Sequence, residues 1–116
     1  MSALSDTLDE LNSDVNIVDF YADWCQPCKT LAPLLDDAFA EHGSRLNLIK
    51  VDADENLDVC KEYGVQSLPT VLVVQRTDSG SYVEINRFTG SKPSAFLDAF
   101  IQDAVRAAGV ADGAVT

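Results

Sequence analysis

Cys25 and Cys28 enclose two residues, Gln26 and Pro27, and stand between stretches of different periodicity. Before them runs the β-branched and aromatic segment Val15–Tyr21; after them, over 29–42, apolar residues recur at intervals of three and four. A Cys-x-x-Cys pair at a strand-to-helix junction suits thiol–disulfide exchange. The helix N-terminus offers free backbone N–H groups and partial positive charge. Both favour a thiolate, the reactive form of cysteine. Two cysteines at this spacing can also close a disulfide on each other once a substrate has been attacked. Cys25, the first thiol and the nearer to the helix N-terminus and the exposed end, is expected to attack. Cys28, one turn deeper, is expected to resolve the mixed disulfide.

Other chemistries of paired cysteines fit less well. A structural zinc site takes four Cys or His ligands in two clusters, and only Cys60 and His42 remain, unpaired at ligand spacing. A c-type haem site needs His directly after the second cysteine; Lys29 stands there. A Cys–His dyad also fails, because His42 at the far end of the helix opened by Cys25 would lie about 25 Å away at ~1.5 Å per residue.

The elements that must hold this pair follow from pattern. Residues 5–13 read as a short amphipathic helix around Leu4, Leu8 and Leu11. Residues 16–22 read as a strand apolar on both faces except for Asp19, as in a central parallel strand. In the helix 29–42, Leu31, Leu34, Leu35, Ala38 and Phe39 form one buried face, with Pro33 as an internal kink and Gly43 as the stop. Residues 46–52 form a second strand, and Asp54 is positioned to N-cap a helix ending near Gly64. Strands 70–75 and 81–88 make a hairpin around Asp78-Ser79-Gly80. Pro93 opens a last helix with Phe96, Leu97, Phe100, Ile101, Ala104 and Val105 on its apolar face. Residues 1–108 are expected to form one domain, and 109–116, rich in Gly and Ala, a flexible tail. Periodicity alone gives an α/β class.

Asp19 in an apolar strand is either buried, and then neutral part of the time or paired, or at a solvated strand edge. A buried carboxyl there would serve as proton donor and acceptor for Cys28. Lys50 is either its partner on the neighbouring strand or a surface lysine. Trp24 reads as an apolar lid or a partly buried scaffold aromatic, Cys60 as a small core residue, and His42 as a solvated helix-end residue.

The net charge is −11 over 116 residues, with only four lysines. Such a surface repels nucleic acid and anionic membranes, and no apolar run approaches a membrane span. Three cysteines cannot all pair internally, which suits a reducing compartment. The first residues, Met1 to Asp6, show no basic or long apolar leader. Together these give a cytoplasmic expectation.

The segment 18–29, Val-Asp-Phe-Tyr-Ala-Asp-Trp-Cys-Gln-Pro-Cys-Lys, resembles the active-site segment of thioredoxins. Lys50, Leu68-Pro69-Thr70 and Phe88-Thr89-Gly90 extend the resemblance over about residues 5–106. Two features depart from that family: Gln26 stands where Gly is usual, and the chain begins too close to its first helix to hold the family's N-terminal strand. The resemblance implies a mixed four-stranded sheet with strands 46–52, 15–22, 70–75 and 81–88 in that order and helices on both faces. It implies reduction of protein disulfides, a place in electron transport and cell redox homeostasis, and re-reduction by a thioredoxin-reductase-type donor. No cofactor is implied beyond the Cys25–Cys28 disulfide. The implied site joins Cys25, Cys28, Asp19 and Lys50 as catalytic residues with Trp24, Gln26, Pro27, Leu68, Pro69 and Gly90 as substrate contacts. Pro69 would follow a cis peptide bond against the sulfurs, and Gly90 would admit a substrate backbone closely. Gln26, with an amide donor near Cys25, is expected to tune the reduction potential. The strand 46–52 is left as a sheet edge, which the first helix is expected to cover in a monomer. A thioredoxin-fold binding module, and a disulfide former or isomerase, stand as alternatives.

Overall fold

The computed structural model describes residues 3–11 and 13–111. Their elements are α1 (Ala3–Leu11), β1 (Val15–Tyr21), α2 (Gln26–His42), β2 (Asn47–Asp52), α3 (Leu57–Glu62), β3 (Thr70–Arg76), β4 (Tyr82–Thr89) and α4 (Ser94–Ala111), with a single 3₁₀ turn at Ala53–Glu55. The sheet order is β2-β1-β3-β4. β1 and β2 run parallel, joined through α2 as a crossover; β1–β3 and β3–β4 are antiparallel.

Alternation along β1 sorts its side chains to two faces. Val15 and Ile17 point to a core built with Leu31, Leu35, Leu97 and Ile101 from α2 and α4. Val18 and Phe20 point to a second core with Leu4 and Leu8 from α1 and Val59 and Cys60 from α3. Each of these fully buried aliphatic side chains contributes roughly 1.5–3 kcal/mol over an exposed one. Burial of both faces is why β1 reads as a continuous apolar run. By the same alternation Asp19 shares the face of Val15 and Ile17, beneath α2.

Several boundaries differ from expectation. α1 spans 3–11 instead of 5–13, and α2 starts at Gln26 because a proline in the first helical turn has no N–H to lose. Asp54 does not cap α3. Asp52 Oδ1 accepts the Asp54 N–H at the 3₁₀ turn, and Asn56 precedes α3 without a side-chain cap bond. α4 runs through Gly109 to Ala111, into the stretch expected as a tail; Ala104 and Ala108 bury its end against the core. The remainder of that tail, 112–116, lies outside the described residues. His42 is not solvated: its side chain is 18% exposed and lies 3.4 Å from Asp98 and 3.3 Å from Glu41. Cys60 is a buried free thiol in the α3 core, as expected. β2 is a sheet edge, and α1 packs beside it, with Leu4 and Thr7 meeting Ile49 and Val51 across a small cavity.

Candidate active site

The site is assembled where β1 ends and α2 begins. Cys25 is the N-cap of α2, and its backbone is extended, with φ −87° and ψ 107°. Its carbonyl accepts from Lys29 N–H at 3.3 Å, and its Sγ accepts from Cys28 N–H at 3.2 Å. A sulfur that caps a helix receives one of the open N–H groups and the positive end of the dipole. Cys25 and Cys28 are joined as a disulfide, with Cα atoms 5.3 Å apart. Exposure does not separate them as expected: they are 4% and 6% exposed. The capping hydrogen bond to Cys25 is what distinguishes the two sulfurs.

Ala22 packs on the pair, with Tyr21 and Leu68 partly buried against it. The Leu68–Pro69 bond is cis, and the Pro69 carbonyl accepts from Gly90 N–H at 2.9 Å. This bond closes the end of the β3–β4 ladder beside the pair, where Thr70 faces Thr89. Gly90 has φ +81°, and a Cβ placed there meets nothing within 4 Å. Its requirement for glycine is therefore conformational. Gly90→Ala should lower stability by about 1–2 kcal/mol, read from denaturant midpoints; an unchanged midpoint would contradict it.

Trp24 is not partly buried. It is 68% exposed, and its indole N–H donates to Asp54 Oδ2 at 2.9 Å. Gln26 and Pro27 are exposed beside it. In the disulfide form the one hydrogen bond to Cys25 Sγ among the described residues comes from Cys28 N–H.

Behind Cys28 a cavity of about 460 Å³ is lined by Asp19, Tyr21, Asp23, Lys29, Ala32 and Lys50, among others. Parallel register places Asp19 beside Lys50. Lys50 Nζ lies 3.4 Å from Asp19 Oδ2 and 2.9 Å from Asp36 Oδ1. Asp19 is buried, not at a solvated edge: its side chain is 5% exposed, and Oδ1 has no hydrogen-bond partner. Burial raises its pKa above the ordinary carboxylate value, against the pull of Lys50. For Lys50, burial disfavours the ammonium, but Asp36 and Asp19 outweigh it and the pKa is raised. Asp36 was not singled out in the sequence, and Asp54 was read there as a helix cap and not as a partner of Trp24. Asp36 did carry a signal, since Cys28, Ala32 and Asp36 follow one another at four-residue intervals on α2.

No group of three or more His, Cys, Asp or Glu among the described residues could hold a metal ion. No helix among them is long and apolar enough to cross a membrane.

A capped, helix-opening disulfide beside a cis-proline and above a buried carboxyl can perform dithiol–disulfide exchange. The Thioredoxin family model matches residues 3–103. The thioredoxin of Bacillus subtilis is 39% identical over 92 residues, 79% of this chain and 84% of that one. That of Pseudomonas aeruginosa is 35% identical over 73% of this chain and 78% of its own. The Trichomonas vaginalis thioredoxin structure superposes with a TM-score of 0.73 at 31% identity, covering 87% of each chain. With sequence match, superposition and a redox-ready cysteine pair in agreement, the chain belongs to the thioredoxin family and is a thiol–disulfide oxidoreductase of the protein-disulfide reductase type.

Proposed function

We propose that the chain reduces disulfides of protein substrates, with Cys25 as the attacking thiol and Cys28 as the resolving thiol. The observation that carries this assignment is the Cys28 N–H bond to Cys25 Sγ, at the N-cap of α2. A sulfur so placed is the better thiolate. In the reduced protein, Cys25 thiolate attacks one sulfur of the substrate disulfide; the other sulfur leaves as a thiolate and takes a proton from water. Cys28 then gives its proton to Asp19, and its thiolate attacks Cys25 Sγ. The Cys25–substrate bond breaks, the second substrate sulfur leaves as a thiolate and takes a proton from water, and Cys25–Cys28 closes. The substrate disulfide gains two electrons and the dithiol loses two. The raised pKa of Asp19 and its place in the cavity behind Cys28 support its proton role.

The substrate meets the face formed by Trp24, Gln26, Pro27, Leu68, Pro69 and Gly90. Trp24, fixed by Asp54, supplies apolar area there. An extended substrate segment would pair with backbone near Pro69, in the manner of strand addition. The oxidised protein is returned to the dithiol by a separate thioredoxin-reductase-type donor. The free buried thiol of Cys60 suits a reducing, cytoplasmic setting. Turnover of a protein disulfide by wild type against Cys25→Ser tests the reading; equal turnover would reject it. The protein acts as a monomer, with α1 packed beside the β2 edge. Light scattering over a concentration series should give a constant monomer mass, and a constant dimer mass would overturn this.

A further inference from the structure

Lys50 does not serve Asp19 alone. Its Nζ is nearer to Asp36 Oδ1, at 2.9 Å, than to Asp19 Oδ2, at 3.4 Å. Asp36 lies at the outer side of this trio, with its side chain 56% exposed, while that of Asp19 is 5% exposed. Asp19 Oδ1 is left buried with no hydrogen-bond partner. An ammonium has three donors and can reach two carboxylates, but its favourable interaction with each depends on distance. Resting on the reading of Asp19 as the proton partner of Cys28, we propose that Asp36 is a positioning residue that draws the Lys50 ammonium outward, so that Asp19 can hold the proton it exchanges with Cys28.

The charged and titratable groups around Asp19 come from three elements. Lys50 approaches from β2; Cys28, Lys29 and Asp36 come from α2; Tyr21 and Asp23 come from the end of β1 and the turn beyond it. On β3 the residue opposite Asp19 is Val71, which brings no charge. Lys50 is the cation in contact with Asp19, and Asp36 is the carboxylate that competes for it. With Asp36 neutralised, Lys50 is free to close on Asp19 Oδ2, and a repelling negative charge is removed. Both changes favour ionised Asp19, which is then a poorer acceptor for the Cys28 proton.

The test follows the Asp19 carboxyl carbon by ¹³C NMR in the oxidised protein, where Cys28 does not titrate. Wild type, Asp36→Asn and Asp36→Glu are titrated, and the pH profile of the resolving step is measured by stopped flow. The Asp19 midpoint in Asp36→Asn should fall by at least about half a pH unit, the kinetic inflection should fall with it, and Asp36→Glu should restore both. The same spectra report that each variant is folded. An Asp19 midpoint in Asp36→Asn that stays in place or rises overturns the role of Asp36. An Asp19→Asn variant whose resolving step keeps the wild-type pH profile overturns instead the reading of Asp19 as proton partner, and the NMR midpoints distinguish the two failures.

Discussion

Cys25→Ser is expected to lower protein-disulfide reduction by at least about 10³-fold, because a hydroxyl in place of the thiolate removes the nucleophile. Cys28→Ser should fail differently. Its first attack remains, because Cys25 still caps α2 and the backbone N–H at position 28 still points at its sulfur. The mixed disulfide then has no internal thiol to release it. Multiple turnover should be lost while a single equivalent of substrate is captured. Following released substrate thiol over the first turnover and later ones separates the two. A Cys25→Ser protein with undiminished turnover, or a Cys28→Ser protein that cycles normally, would contradict the assigned order.

Asp19→Asn should slow the resolving step by on the order of 10²-fold, the usual contribution of a positioned proton acceptor. Its effect on stability should have the opposite sign and depend on pH. Burial raises the folded-state pKa of Asp19 above its ordinary value of 3.8. The stability contributed by the protonated carboxyl is then fully present below the unfolded value and is lost as pH rises through the folded one. Above that, the buried carboxylate is a cost that Lys50 offsets only in part. Asn has no proton to lose. Denaturant midpoints of the variant at about pH 8 should therefore equal or exceed wild type, and any advantage should shrink toward about pH 4. A variant strongly destabilised at about pH 8 with normal turnover would sink both halves of this expectation.

The parts of the site that were legible in the sequence are those set by local pattern. Cys25 and Cys28 are marked by spacing and by the change of period from strand to helix. Asp19 is marked by being the one acid in an apolar run. Its pairing with Lys50 follows once β1 and β2 are taken as parallel neighbours in register. Strand order and the cis Leu68–Pro69 bond came from family resemblance, since a period of two does not say which strand lies beside which. What was missed depends on partners distant in sequence. The Trp24 indole finds Asp54 thirty residues away, so Asp54 looked like a helix cap, and a partly buried Trp24 was among the readings the sequence allowed. His42 meets Asp98 only because α2 and α4 share a core. Asp36 is exposed, and its spacing from Cys28 and Ala32 on α2 gains meaning only once Lys50 is seen to bridge it to Asp19. α4 passes through Gly109 although glycine disfavours a helix by about 1 kcal/mol, because burial of Ala104 and Ala108 outweighs that local penalty.

The order of the two sulfurs is tested most directly by mapping the covalent adduct that each single-cysteine variant forms with an oxidised protein substrate. Cys28→Ser and Cys25→Ser are mixed with it, quenched by acid at short times, digested without reductant, and read by mass spectrometry. The account predicts rapid, stable accumulation of a disulfide between substrate and Cys25 in Cys28→Ser, with little adduct at Cys28 in Cys25→Ser over the same interval. Faster or equal adduct formation through Cys28 would contradict it and make Cys28 the attacking thiol.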